Sequence, residues 1–176
     1  AGGLFKELWT TLSGVAFDPN YGLWDVTPRT HLMYPSATAH LVHGSDNHLV
    51  LYEFLGRVLG KAMFEGIVVQ PNFSHFLLTK LLGKFSALSD LASLDEELFR
   101  NLMFLKTYEG DARDLMLNFV VTEDTLGVTR EIELCRGGAD MEVTSRNKLR
   151  YVYHVANYRL NTKIRPQCNA FLKGLR

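Results

Sequence analysis

The two cysteines are the residues through which this chain could do nucleophilic chemistry, and neither has a nearby base in the sequence. Cys135 and Cys168 are 33 residues apart, and His154 precedes Cys168 by 14 residues. On a straight helix, which rises about 1.5 Å per residue, His154 and Cys168 would be separated by roughly 21 Å. A nucleophile and its general base need hydrogen-bond contact. We therefore predict structural roles for both cysteines.

Three histidines, His40, His43 and His48, lie close together in a turn-rich stretch. Three imidazoles could hold zinc, but this spacing matches no regular zinc template and no cysteine is close by in the sequence. Exposed loop histidines are the favoured interpretation. We predict no metal ion and no other cofactor.

Other motifs that could do chemistry also have simpler explanations. The pairs Gly2-Gly3 and Gly137-Gly138 lack the strand–turn–helix setting of a phosphate-binding loop. The adjacent acids Glu96 and Glu97 lie at a predicted helix start, where the helix dipole explains negative charge without catalysis. Residue chemistry alone therefore identifies no active site.

The composition predicts a globular chain with a real core. Of its 176 residues, 47% are hydrophobic and 22% are charged, which suits one domain or a domain with a small appendage. Nineteen basic residues balance nineteen acidic ones, so no global field favours nucleic acid or an anionic membrane. No apolar run approaches the roughly 18 residues that cross a bilayer, and the N-terminus does not resemble a signal peptide. Because only two cysteines are present, we expect a reducing compartment: the cytoplasm, with the nucleus as a second location.

Charge is distributed unevenly along the chain. Residues 90–142 carry a net charge of −8, and residues 143–176 carry +8. The favoured interpretation is that the acidic middle and the basic tail attract each other within the fold. Two separate docking surfaces are the alternative.

Apolar spacing predicts an α+β fold that is rich in helix. Two glycines on one predicted helix, Gly56 and Gly60, indicate close approach of another backbone. The small subdomain, a helix plus a β-hairpin, should span 87–142, and the larger subdomain should comprise 1–86 and 143–176. The predicted helices are 4–12, 47–65, one opening at Pro71, one from Ser93 to about Lys106 and one from 146 to 165 or beyond; the predicted strands are 21–24, 32–34, 118–121 and 131–134.

The segment Tyr52–Glu65 contains the pattern aromatic-x-Gly-Arg-x-x-Gly-Lys-Ala. It resembles a helix in the N-lobe of HECT-type ubiquitin ligases, particularly the E6-associated-protein group with its B and C ligases. Further similar segments follow in the order of that domain, and together they run from Gly2 to Leu175. They are Gly2–Glu7, Leu32–Ser36 (with Ser in place of the family's Asn), Leu91–Asp95 with Leu98–Leu102, Asp114–Phe119, and Glu133–Gly138 with Val143–Thr144.

The resemblance implies part of a ubiquitin transferase. In this family a thiolate takes ubiquitin from the conjugating enzyme and passes it to a substrate lysine. That cysteine lies in a C-terminal lobe, in a Thr-Cys-Phe/Met-Asn context that neither Cys135 nor Cys168 matches. We therefore expect an N-lobe fragment that docks the ubiquitin-loaded conjugating enzyme and is inactive alone, its catalytic cysteine lying outside this chain. The implied partners are the conjugating enzyme and ubiquitin, with protein substrates bound through regions not present, and neither membrane nor nucleic acid.

The resemblance also places a groove for the conjugating enzyme in the small subdomain. Leu98 and Leu102 are four residues apart on one helix face, and Leu115 and Leu117 would share one strand face. If these positions form a groove, Leu102 and Tyr151 should be partly exposed in the free chain. If they form a core, both should be buried. The positions carried over are Leu98, Leu102, Tyr108, Leu115, Leu117 and Tyr151.

Two other classes of function remain open. A purely structural interaction domain would bind no conjugating enzyme. A nucleic-acid-binding module could use the basic tail with Tyr151, Tyr153 and Tyr158 interleaved. For Gly56, Arg57, Gly60 and Lys61 of the helix motif, we favour a role in helix packing.

Overall fold

The computed structural model describes residues 2–68 and 71–176. Ala1, Val69 and Gln70, which the predicted larger subdomain includes, lie outside the described residues. The α-helices are α1 (Gly2–Ala16), α2 (Ala39–His43), α3 (Asn47–Phe64), α4 (His75–Leu81), α5 (Leu91–Leu94), α6 (Glu96–Thr107), α7 (Lys148–Leu160) and α8 (Arg165–Leu175). The strands are β1 (Trp24–Val26), β2 (Met33–Pro35), β3 (Val120–Thr125) and β4 (Val128–Glu133). Within the described ranges, no helix is long and apolar enough to span a membrane.

The chain folds as two compact units. The larger unit comprises residues 1–86 and 163–176, and the smaller unit comprises residues 87–162. The sequence pattern predicts the second boundary after residue 142, which would assign α7 to the larger unit. The structure keeps α7 with the smaller unit, because Tyr151 packs against Phe119 and Arg159 pairs with Asp95.

The larger unit contains a close crossing of α3 and α8. A Cβ atom at Gly56 would overlap the carbonyl oxygen of Phe171, and one at Gly174 would overlap the carbonyl oxygen of Glu53. A Cβ at Gly60 would lie 3.0 Å from the carbonyl oxygen of Leu175. The prediction that Gly56 and Gly60 allow close approach of another backbone is therefore confirmed.

Aromatic side chains fill the core of the larger unit around Trp24. Strands β1 and β2 pair antiparallel, with Trp24 opposite Pro35. The Trp24 ring lies with its centroid 5.3–5.6 Å from four other rings, and the Tyr52 hydroxyl donates a hydrogen bond to the Leu23 carbonyl. The four rings are those of Phe17, Tyr52, Phe73 and Phe171.

Two predicted helices have different limits in the structure. The helix expected to open at Pro71 begins at His75, because the preceding residues pair with β2: the Met33 amide donates to the Asn72 carbonyl (2.7 Å). The helix expected from 146 to 165 or beyond is two helices, α7 and α8. Pro166 lies in the first turn of α8, where its missing N–H has no helical partner to lose.

The smaller unit combines α5, α6 and α7 with the hairpin of β3 and β4, paired antiparallel with Val121 opposite Ile132. Asp95 caps α6, since its carboxylate accepts a hydrogen bond from the Leu98 amide at 3.0 Å. The predicted start at Ser93 is therefore wrong by a few residues. The Arg159 guanidinium bonds the same carboxylate at 3.0 Å, so the acidic middle and the basic tail do attract each other at this point.

Replacing Gly56 by alanine should lower the free energy of unfolding by about 1–3 kcal/mol, because the new methyl group overlaps a backbone carbonyl of α8. Gly14→Ala in α1 is the matched control: a Cβ there meets nothing within 4 Å, and alanine should add up to about 1 kcal/mol of stability. Urea unfolding measures both. Wild-type stability in Gly56→Ala would contradict the close crossing.

Candidate functional site

All six residues assigned to the groove lie in the smaller unit, on or beside three of its helices. Leu98 and Leu102 are on α6, and Tyr108 follows the last residue of that helix. Leu115 ends a short 3₁₀ helix (Ala112–Leu115), and Tyr151 is near the start of α7. Leu117 lies between that 3₁₀ helix and β3. Four of the six are half-buried: Leu98, Tyr108, Leu115 and Leu117.

The other two are core residues in the free chain. Leu102 is 4% exposed and Tyr151 is 9% exposed. The Tyr151 ring meets the edge of Phe119 with 5.4 Å between centroids, and burial raises the pKa of its hydroxyl. The groove interpretation predicts that both side chains are partly exposed, and this expected exposure is wrong for both. Their assignment to the groove itself stays a prediction.

Leu115 and Leu117 do not share a strand face. Between them Met116 has a φ of 50°, and its amide donates to the Arg113 carbonyl at 2.9 Å. A left-handed residue breaks the two-residue alternation of an extended strand. Leu117 is nevertheless anchored, because its carbonyl accepts a hydrogen bond from the Val143 amide at 2.7 Å.

Two exposed apolar residues near these positions were missed from the sequence. Phe104 is 59% exposed on α6, and its ring centroid lies 5.5 Å from that of Tyr108, four residues on. The helical period could have revealed this pair, since Leu102 and Leu105 occupy the buried face of α6 and Phe104 does not. Met116 is 88% exposed, and no sequence signal marks its left-handed turn.

Two side chains that follow β4 in sequence hydrogen-bond to the backbone of residues 108–112. The Lys148 ammonium donates a hydrogen bond to the Tyr108 carbonyl. The Ser145 hydroxyl accepts from the Ala112 amide at 3.2 Å and donates to the Gly110 carbonyl at 3.4 Å. A polar cleft of about 520 Å³ adjoins these contacts and contains Arg113, which pairs with Glu142 at 3.3 Å.

The two cysteines lie in different settings. Cys168 is buried, and burial raises the pKa of its thiol to about 11, so it is protonated at neutral pH. Cys135 is half-buried in the turn that follows β4. Both are free thiols.

The three histidines take part in local contacts. A ring nitrogen of His43, Nε2, lies 2.8 Å from the Tyr21 carbonyl oxygen, and the Nδ1 nitrogen of His48 donates to the Gly44 carbonyl at 3.0 Å. The expectation of exposed loop histidines is wrong, because His40 and His43 lie on α2 and His48 on α3, where it is also buried. In the parts of the chain that the structure describes, no group of three or more His, Cys, Asp or Glu side chains could hold a metal ion.

Comparison with known proteins gives the family. The model of the HECT-domain (ubiquitin-transferase) family matches residues 10–176. This chain belongs to the HECT-domain family. It is 45% identical to the E3 ubiquitin-protein ligase UPL6 of Arabidopsis thaliana, over 98% of this chain and 16% of that protein.

Other HECT relatives agree. The chain is 38% identical to the human ubiquitin-protein ligase E3B, over 99% of this chain and 16% of that protein. It is 33% identical to the E3 ubiquitin-protein ligase Nedd-4 of Drosophila melanogaster, over 98% of this chain and 17% of that protein. The HECT resemblance and the helix-rich α+β class are therefore confirmed, and the chain spans about one sixth of the length of these relatives.

Truncating Leu102 to alanine should cost about 2–5 kcal/mol of folding stability, because it leaves a cavity in a closed core. Phe104→Ala, on the exposed face of the same helix, should cost less than about 1 kcal/mol. Thermal melting of both variants measures the difference. Similar melting temperatures for the two would mean that α6 does not bury the face described.

The two thiols should react at different rates in the folded chain. At pH 8 a thiol-specific reagent should label Cys135 first, because Cys168 is buried and its pKa is about 11. Both should react once the chain is unfolded in guanidinium. Mass spectrometry of peptides from briefly labelled protein reads out each site. Equal labelling of the two cysteines in folded protein would contradict the buried position of Cys168.

Proposed function

We propose that this chain is the N-lobe part of a HECT ubiquitin ligase and docks a ubiquitin-loaded conjugating enzyme. The family match over residues 10–176 carries the proposal. HECT ligases in general work with conjugating enzymes and ubiquitin, and the relatives are named as ubiquitin ligases. The task of the N-lobe would be proximity: it converts a bimolecular encounter between thioester and acceptor thiol into a local one.

The docking surface that we propose consists of Phe104 and Tyr108 with the half-buried Leu98, Leu115 and Leu117. The pair formed by the exposed Phe104 and the half-buried Tyr108 supports it, since aromatic side chains are the usual anchors of protein interfaces. Small, transient interfaces depend on a few such residues. Leu102 and Tyr151 would stabilise this surface indirectly, by packing in the core of the smaller unit.

We propose that the cysteine that receives ubiquitin is neither Cys135 nor Cys168. A ubiquitin acceptor must be a reactive thiolate, and burial keeps Cys168 protonated. Cys135 follows a leucine where the family's acceptor follows a threonine. Substrates would be bound elsewhere in a longer protein. Two free cysteines agree with a reducing compartment, so we propose the cytoplasm, with the nucleus as a second location.

Little in the structure supports the alternative of a nucleic-acid-binding module. Of the three tyrosines that it needs, Tyr151 is buried and Tyr158 bonds to Glu123, which leaves Tyr153 at 57% exposed. Part of the basic tail is also engaged within the protein. Arg159 pairs with Asp95, and Lys148 bonds to a backbone carbonyl.

Binding of a conjugating enzyme tests the proposal. Phe104→Ala and Tyr108→Ala should each raise the dissociation constant about tenfold or more, since each removes a central aromatic anchor. Isothermal titration against a panel of purified conjugating enzymes measures this. Phe85→Ala, which removes an exposed phenylalanine in the larger unit, is the matched control and should leave the affinity unchanged. Wild-type affinity in both Phe104→Ala and Tyr108→Ala would refute the docking surface.

A further inference from the structure

Gly110 lies against the ring of Tyr108 at a distance that only glycine permits. A Cβ atom at position 110 would lie 2.6 Å from the Tyr108 hydroxyl oxygen and 2.7 Å and 2.8 Å from its Cζ and Cε1 atoms. Cβ atoms essentially never come within 3.0 Å of another heavy atom. The φ of Gly110 is not in the left-handed region, so the backbone itself would accept alanine. The Tyr108 ring therefore occupies the space of a side chain at position 110.

The backbone on both sides of this contact is held by the segment after β4. Lys148 donates to the Tyr108 carbonyl, and the Ser145 hydroxyl donates to the Gly110 carbonyl and accepts from the Ala112 amide. These bonds fix where the backbone of Gly110 lies. The ring in turn contacts Phe104, with 5.5 Å between centroids. The Tyr108 ring thus contacts an exposed aromatic neighbour, Phe104, and lies against the backbone of Gly110, whose position these hydrogen bonds fix.

We propose that Gly110 is a positioning residue for docking: the missing side chain lets the Tyr108 ring lie over the backbone of Gly110, in the orientation that binds the conjugating enzyme. This inference rests on the proposed function. Alanine at position 110 would displace the ring. The backbone would stay in place, because Lys148 bonds to the Tyr108 carbonyl and Ser145 bonds to Gly110 and Ala112, independently of the ring. The effect on folding should be small, since the group displaced is the far end of a flexible side chain.

A double-mutant cycle tests the inference, with the 176-residue chain and the conjugating enzyme of a purified panel that binds wild type most tightly. Gly110→Ala should weaken binding about fivefold to tenfold and change the melting temperature little. In a Tyr108→Ala background the same change should have no effect, because Gly110 acts only through the ring. Gly14→Ala, where a Cβ meets nothing, is the matched control and should bind as wild type does.

Nuclear magnetic resonance distinguishes a positioning role of Gly110 from a general effect on the fold. The Tyr108 ring resonances should shift in Gly110→Ala, and the Gly110 α-proton resonance should shift in Tyr108→Ala, while the core resonances of Phe119 stay in place.

Two results would overturn the inference. The first is unchanged affinity in Gly110→Ala although the Tyr108 ring has moved. The second is an equal loss of affinity in the wild-type and Tyr108→Ala backgrounds. Failure of the proposed function is distinguishable from both, because Tyr108→Ala itself would then bind as tightly as wild type.

Discussion

The smaller unit depends on the burial of Phe119. Its amide donates to the Met141 carbonyl at 3.0 Å, and its carbonyl accepts from the Leu134 amide at 2.8 Å, so three segments meet at one residue. Gly138 is required beside it, since a Cβ there would overlap the Phe119 carbonyl oxygen. The ring, fully buried, packs against Tyr151 of α7. One residue therefore joins the turn and the hairpin through its backbone and the helix through its ring, and burial of the ring is a favourable contribution.

This constraint decides which side chains can meet a partner. Tyr151 packs against the buried Phe119 ring and is therefore not available at the surface. Leu102 and Leu105 form the buried face of α6. Phe104 lies on the exposed side of α6. Its ring pairs with that of Tyr108, which lies where a Cβ at Gly110 would be. An apolar exposed cluster on a well-formed core is typical of an interaction site.

Much of the fold could be predicted from the sequence where the cause is local. The glycines of α3 predict a close helix crossing because glycine in a helix is costly unless a backbone approaches it. The helix itself, expected at 47–65, is observed at Asn47–Phe64. The two short strands near residues 24 and 34 are also present, although each is shifted along the chain.

The errors arise where the cause is not local. The break between α7 and α8, and the assignment of α7 to the smaller unit, depend on contacts distant in sequence, such as Arg159 with Asp95. For the same reason, only part of the candidate site could be predicted from the sequence. Positions could be carried over from the family, but the burial of Tyr151 depends on Phe119, 32 residues before it in sequence, and the exposure of Met116 depends on a left-handed turn.

Chemical-shift mapping of the isotope-labelled chain during titration with a conjugating enzyme tests where the enzyme docks. The largest changes should fall on Phe104, Tyr108 and the half-buried Leu98, Leu115 and Leu117. Residues of the glycine crossing, such as Gly56 and Gly174, should not change. Changes confined to the larger unit, with none at Phe104 or Tyr108, would rule out the proposed docking surface.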